Sequence, residues 1–510
     1  MSALKRIGSN TMLLYLRFIS VIISMLIATR LVIDKVGLVD FGVFSVASSI
    51  VAFVGFIQSA LSLAAQRYFS HKIGEDKQSE IPVVLTSLLI LNIFVITIVA
   101  ILVLTLGNYL IHDFLNIPSD RKDAAYFTLY TSVVVFSSNI ISAVFIAFFI
   151  SSEKISIHII ISVLDAFLKL LAAAVFQYLP YDLLVSYASL LAVESVFILI
   201  VYSVMSRRTF SYARLTRVKD IGEFRKIISF VGWNLWGSLA VVFKIQGVNV
   251  LLNVYFGPAV NSARTISLQI NAALTSAIQS LQTALSPYVI KNYAAGESSN
   301  FNRAVLVGAK YNFLFLLLIS TPFYIMGPFI ISFWLGQIPD YSIIFLKLAI
   351  TVSLVDSLSS TLITAAQATG KIRKYQLVVG GVVLLELPFN AGALYFGGEP
   401  YIVGLIAIII SMIALYARLV IIPTLINLER NRFIRKVIFP ISSVYIVSFI
   451  LSNMIYYYEI SSFISVLFLS IIVFFVQLSM IYYFAMTREE KGFALKGLRF
   501  LGNKIACRKI

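Results

Sequence analysis

Runs of about twenty apolar residues recur along the whole chain, the first at 10–33 and the last at 461–486. A run of that length crosses the hydrocarbon core of a bilayer as an α-helix. Within that core the backbone must satisfy its own hydrogen bonds, which leaves only helices and closed barrels. Barrel strands are short and alternate apolar with polar residues, unlike these runs. The chain is therefore read as an all-α polytopic membrane protein. Composition enters at one point: 12% of the 510 residues are charged, against about 25% in a soluble globular protein.

The runs divide into fourteen expected spans, at 10–33, 39–68, 83–106, 124–150, 159–179, 183–206, 227–255, 258–286, 304–335, 341–369, 375–396, 401–427, 437–456 and 461–486. The ninth holds Pro322 and Pro328 and is expected to bend or end early. Alternate connections carry 28 of the 40 Lys and Arg residues, and the other set carries three, Lys35, Arg121 and Lys122. The positive-inside rule makes the first set cytoplasmic and puts both termini on that side. Lys5 and Arg6 look like a signal-peptide n-region, but the run after them is long and contains Arg17, so it reads as an uncleaved helix. The expected plan is an N-lobe over 1–206, a basic cytoplasmic linker over 207–226, a C-lobe over 227–427, two accessory helices over 428–486 and a basic tail over 487–510.

Leaving aside Asp40 at the edge of the second run, thirteen charged residues fall inside these runs, nine of them basic: Arg17, Arg30, Arg67, Lys169, Lys244, Arg264, Lys310, Lys347 and Arg418, against Asp165, Glu194, Asp356 and Glu386. Facing lipid, they would cost on the order of 30–45 kcal/mol. They must snorkel, pair or face an internal cavity, and surplus positive charge suits an anionic cargo. Arg17, Lys244 and Arg264 lie deep enough to read as cavity residues; Arg30, near the outer end of its helix, reads either as a cavity residue or as the partner of Asp34; and Arg67, Lys310, Lys347 and Arg418 sit nearer helix ends, where basic residues anchor to the interface. Asp165 and Lys169 are one turn apart and suit either a neutral pair or a proton path, and Glu194, Asp356 and Glu386 suit proton or cation coupling or pairing with a base.

The halves are weakly alike at an offset of 220 residues. Gly37 aligns with Gly257, Leu61 with Leu281, Ala64 with Ala284 and Tyr68 with Tyr288, each set in a glycine turn, a long helix and a basic loop. Six intervening spans give both copies the same orientation, so the repeat is parallel about an axis along the membrane normal, with a cavity between the lobes. The eighth span carries Ser262, Thr265, Gln269, Ala272, Ser276, Gln279 and Thr283 at spacings of three and four, one face of a helix. Such a face is either interhelical glue or a wet cavity wall.

Three histidines and one cysteine, Cys507, offer no metal or disulfide framework, and no cofactor is expected. The net charge of +17 lies in the cytoplasmic connections and does not require nucleic acid. The nearest approach to a phosphate-binding loop, AAQATGKI at 365–372, lacks the first glycine and the final Ser/Thr. No outer connection is large enough for a membrane glycosyltransferase or polymerase.

The run ATRLVIDKVGLVDFGVFSV, followed by SLAAQRYFSHKIGE, resembles the first two spans of bacterial polysaccharide flippases of the Wzx (O-antigen translocase) type, within the multidrug/oligosaccharidyl-lipid/polysaccharide exporter superfamily. Thr29-Arg30, Gly37, Asp40-Phe41-Gly42 and Arg67-Tyr68 carry the likeness. The resemblance implies two six-helix lobes about a central cavity, two accessory helices, and alternating-access flipping of an undecaprenyl-pyrophosphate-linked oligosaccharide across the bacterial inner membrane. It implies that Arg17, Arg30, Arg67 and Arg264 hold the head group, and depth adds Lys244. Partners would be the lipid-linked glycan, membrane lipids and polymerase or synthesis proteins. A drug/cation antiporter of the same superfamily, a membrane-embedded glycosyltransferase or polymerase, and a teichoic acid or peptidoglycan-precursor flippase remain the competing readings.

Overall fold

The computed structural model describes residues 3–74, 78–152, 154–210, 214–216, 235, 239, 242–294, 296–369, 373–426, 428–457, 462–487 and 489–492. The expected linker 207–226 and basic tail 487–510 lie largely outside these residues. Among the described residues there is no strand.

The helices are α1 (Ala3–Ala52), α2 (Gly55–Gly74), α3 (Ile81–Tyr109), α4 (Lys122–Ser151), α5 (Ile155–Val175), α6 (Leu183–Thr209), α7 (Val248–Phe256), α8 (Pro258–Ala294), α9 (Ser298–Leu335), α10 (Ser342–Ala368), α11 (Arg373–Leu384), α12 (Glu386–Tyr395), α13 (Ile402–Leu425), α14 (Arg430–Phe433), α15 (Phe439–Tyr457) and α16 (Phe463–Met480). Among the described residues, ten segments are long and apolar enough to cross a membrane. They coincide with expected spans three to six and nine to fourteen. The other four expected spans fall on α1, α2, α7 and α8 and partly outside the described residues. The chain is a multi-pass membrane protein.

The helices refine three of these spans. The second span does not run unbroken over 39–68: the helix stops at Ala52, turns at Phe53 and Val54, and resumes as α2. The eleventh is divided at Leu385 into α11 and α12. The ninth does not end early: α9 continues through Pro322 and Pro328 to Leu335. Neighbouring hydroxyl groups can offset a proline's missing N–H within a membrane helix. Thr321, beside the first proline, hydrogen-bonds the Leu317 carbonyl at 2.7 Å.

The chain forms two compact units. The first comprises Met1–Ile266, Gln337–Ser342 and Gly380–Ile406; the second comprises Ser267–Gly336, Ile343–Val379 and Ala407–Ile510. The first has its core among α1 to α6, where Phe69, Phe148, Phe149, Tyr202 and Phe210 interlock. The second binds its helices with polar side chains as well. Asn312 on α9 donates to Gln282 on α8 at 3.1 Å and to Ser360 on α10 at 2.8 Å, and Gln282 donates to Thr364 at 2.7 Å. Hydrophobic burial cannot drive helices together within lipid, so hydrogen bonds and close packing carry more of the association.

The repeat is visible in the backbone of the first unit. Gly37 has φ 80° and ψ 174°, and Gly257, 220 positions later, has φ 81° and ψ −176°. This region is open only to glycine. The helices leaving the two glycines then meet reciprocally. Ser262 donates to the Leu38 carbonyl, and Gly42 packs so tightly on Pro258 that a Cβ there would overlap its carbonyl oxygen. Ser45 and Thr265 share a hydrogen bond of 2.8 Å. Shifting by 220 exchanges 38 with 258, 42 with 262 and 45 with 265, so each contact maps onto its mirror partner. Such self-complementary pairing marks a two-fold axis.

Candidate functional site

Beside this axis the first unit gathers its polar groups. Lys244 lies on a π-helical turn, Phe243–Gly247, that runs into α7. Such turns insert one residue into a helix and often mark functional positions. Gly247 lets α12 approach closely, with Leu387 against it. That approach brings Lys244 Nζ to 3.4 Å from the Glu386 carboxylate, which is almost fully buried. Arg264, on the second turn of α8, donates to the Asn249 side-chain oxygen and, at 3.4 Å, to the Ile245 carbonyl. Two cations and one carboxylate therefore converge, leaving one positive charge in excess.

The helices that bear these charges also carry buried amides. Asn253 accepts from the backbone N–H of Asn116 at 2.9 Å, but its own NH₂ has no partner. The side chains of Asn261 and Asn390 are fully buried, and neither their oxygen nor their nitrogen is hydrogen-bonded. Buried unpaired amides are costly unless a ligand or water satisfies them. The arrangement can therefore hold a compact anion through charge-assisted bonds and present amide donors and acceptors to a hydrophilic partner.

A second cluster sits between α5 and α6. Lys169 contacts both Asp165 oxygens at 2.9 Å. Glu194 is buried beside this pair, hydrogen-bonded to Asp165, with its Oε1 unpartnered. Two carboxyl groups in hydrogen-bond contact share a proton more readily than both ionise, so the cluster can bind and release one. Near the glycine turns, Arg121 grips Asp40 and, at 2.7 Å, Asp182. Asp182 in turn caps α6 by accepting from Leu184 N–H at 2.9 Å and Val185 N–H at 3.2 Å. Burial pushes the Asp182 carboxyl up, but the Arg121 and backbone hydrogen bonds outweigh it and hold it below the ordinary value.

The remaining expected site residues are distributed as follows. Arg17 and Arg67 are on α1 and α2, and their side chains lie outside the described residues. Arg30 is exposed on α1, and Asp34, one turn on, contacts Lys35 at 3.2 Å. Asp356 is exposed in the middle of α10. Along α8, Thr265 is taken up by Ser45, Gln269 is half-buried, Ser276 donates to the Ala272 carbonyl at 2.7 Å, and Gln279 is exposed. The helix has another polar face, Asn271, Gln282 and Ser286, turned about 100° from the first, and this one bonds α9 and α10. Lys310 and Arg418, expected as interface anchors, are instead buried: Lys310 is 3% exposed and Arg418 is 8% exposed. Arg418 donates to Tyr375 and Ser359, both at 3.0 Å.

Sequence reading missed Asn249, Asn253, Asn261 and Asn390. Their signal was available: four asparagines in apolar runs, the first two one turn apart.

No family model matches the sequence, and no curated protein matches it. Solved structures do. One is the lipid II flippase MurJ in an inward closed conformation, with TM-score 0.68 and 14% identity over 93% of this chain and 98% of that one. Another is a multidrug resistance MATE family transporter of the MOP superfamily in an inward-facing conformation, with TM-score 0.63 and 13% identity over 79% of this chain and 95% of that one. A third is a MOP superfamily transporter from Pyrococcus furiosus described as having a binding pocket of reverse polarity, with TM-score 0.55 and 14% identity over 79% of this chain and 96% of that one. The chain has the helical fold common to these flippase and exporter structures.

Proposed function

We propose that this protein is a flippase that carries an undecaprenyl-pyrophosphate-linked oligosaccharide, the repeat unit of O-antigen or a related surface polysaccharide, from the cytoplasmic to the outer leaflet of a bacterial inner membrane. Two six-helix lobes alternate access, with both termini cytoplasmic. The observation that carries this reading is the Lys244–Glu386–Arg264 centre, an excess cation on helices that also carry buried amides with no hydrogen-bond partner. The pyrophosphate competes with Glu386 for Lys244 and engages Arg264, whose partners are neutral. Arg17, Arg30 and Arg67 complete the cationic path. Amides and the Gln269, Ser276 and Gln279 face of α8 receive the sugars, and the polyprenyl tail stays in lipid. The Asp165–Lys169–Glu194 cluster supplies proton coupling, with Asp356 as a further acid.

Extent of likeness supports a lipid-linked cargo over a soluble drug. The two exporter matches above stop near four-fifths of this chain, whereas the MurJ match spans 93%. The difference is about 70 residues, enough for two membrane helices with their connections. The accessory pair over 428–486 fits within it.

The test is deletion of the gene in its bacterium, with polyprenyl-pyrophosphate lipids and surface glycan assayed together. Loss of glycan with complete repeat units retained on the cytoplasmic side is the expected result. Incomplete units would indicate a transferase, complete units on the outer side a polymerase, and unchanged glycan with new drug sensitivity an antiporter.

A further inference from the structure

A second basic site lies in the other compact unit, where three membrane segments end. The spans Ser298–Leu335, Arg430–Met454 and Phe463–Ala485 bring Arg303, Lys310, Arg432, Lys436, Glu489 and Glu490 around a cavity of about 190 Å³. Lys310 is neutralised by Glu490, at 2.6 Å, and Arg303 contacts Glu489 at 2.9 Å. Arg432 and Lys436 are different. They are one turn apart on the segment leading into α15, both line the cavity, and among the described residues neither has an ion-pair partner. Two like charges at that spacing destabilise a helix. An anion in the cavity would remove the repulsion.

The surroundings specify the anion. Leu306 and Val307 form the apolar part of the cavity wall. Along α16 and the π-helical turn that follows it, Ile472, Phe475, Val476 and Tyr483 line an apolar groove of about 390 Å³. Lys491, next to the cavity residue Glu490, lies over the Tyr483 ring at 5.8 Å and donates to the Tyr483 carbonyl at 3.4 Å. An apolar groove capped by a lysine, on the helix that leads to a basic cavity at a membrane boundary, matches a charged head group joined to an acyl chain. Basic pockets between membrane helices at this level bind anionic lipids.

We infer that the cavity between Arg303 and the Arg432–Lys436 pair is a binding site for the phosphate of an anionic phospholipid, with an acyl chain along the α16 groove. The bound phosphate bridges the start of α9 to the start of α15. This is separate from the cargo site, and it requires neither transport nor a particular glycan.

The test uses the full-length protein in phosphatidylcholine vesicles, with and without phosphatidylglycerol, and in detergent with inorganic phosphate. Phosphatidylglycerol is expected to raise the melting temperature by about 2–4 °C, and native mass spectrometry should retain it on the protein. Arg432→Ala with Lys436→Ala should abolish both effects. Arg430→Ala with Arg435→Ala, which removes an equal charge from the same segment but outside the cavity, should keep them. Arg432→Lys with Lys436→Arg should restore most of the shift. An equal shift in the Arg432/Lys436 and Arg430/Arg435 double variants would mean a diffuse surface attraction and would overturn the site. An equal effect from inorganic phosphate would overturn the lipid assignment in favour of a free anion, and no shift in the wild type would overturn both.

Discussion

Two lysines within apolar helices, Lys310 and Lys244, have opposite surroundings. Lys310 contacts both oxygens of Glu490, at 2.6 and 2.8 Å, and the Ala485 carbonyl at 3.0 Å. Glu490 is itself fixed by a reciprocal cap, accepting from Thr487 N–H at 2.7 Å while its own N–H donates to the Thr487 hydroxyl at 3.4 Å. Every donor of the Lys310 ammonium is therefore used. Lys244 meets Glu386 at 3.4 Å, beyond good hydrogen-bond length. A short ion pair fixes structure, and a long one yields more readily to a competing anion. The two compact units thus hold buried charge for different ends.

Lys310→Met should have the largest effect on stability. It strands Glu490 in a closed site at a cost of about 3–5 kcal/mol, read as early thermal unfolding in detergent. Lys244→Met combined with Glu386→Gln, which strands no charge, should unfold nearly as the wild type, and a loss equal to that of Lys310→Met would erase the contrast. In transport the order reverses. Lys244→Ala and Arg264→Ala should each lower glycolipid flipping about 10–100-fold, the worth of one charge-assisted hydrogen bond, with normal protein levels in the membrane. Lys244→Arg and Arg264→Lys should recover part of it.

The glycine turns come next. Gly37→Ala and Gly257→Ala should each destabilise by about 1–3 kcal/mol, because alanine is strained at that φ and ψ. The two effects should be alike if the repeat is symmetric, and thermal scans of each variant would read this. The smallest effect is in pH. Burial pushes the Glu490 carboxyl up, but the hydrogen bonds and charge of Lys310, with those from Thr487, outweigh it and hold the carboxyl below its ordinary value. The group then contributes stability that is complete above the ordinary glutamate value of about 4.3 and is lost as pH falls through the depressed one. Glu490→Gln should flatten that acid limb in a melting-temperature series, and an unchanged limb would place the titration elsewhere.

Hydropathy and charge along the chain determined a good deal. They located the ten apolar membrane segments, because the length of a span is set by the bilayer and not by tertiary contacts. They also located the repeat, since Gly37 and Gly257 require a backbone region closed to other residues wherever the rest of the chain lies. Two deep cations of the candidate site, Lys244 and Arg264, were likewise legible, because charge inside an apolar run is expensive by position alone.

Tertiary structure decided which charges remain available. Sequence could not say that Glu386 belongs to Lys244, 142 positions earlier, or that Lys310 belongs to Glu490, 180 positions later. Nor could it separate the two polar faces of α8, one spent on α9 and α10 and the other leading down from the axis contact of Thr265. Residue type sets the cost of burying a polar group, but its partner is supplied by whichever helix packs against it, and that choice is made by the whole fold.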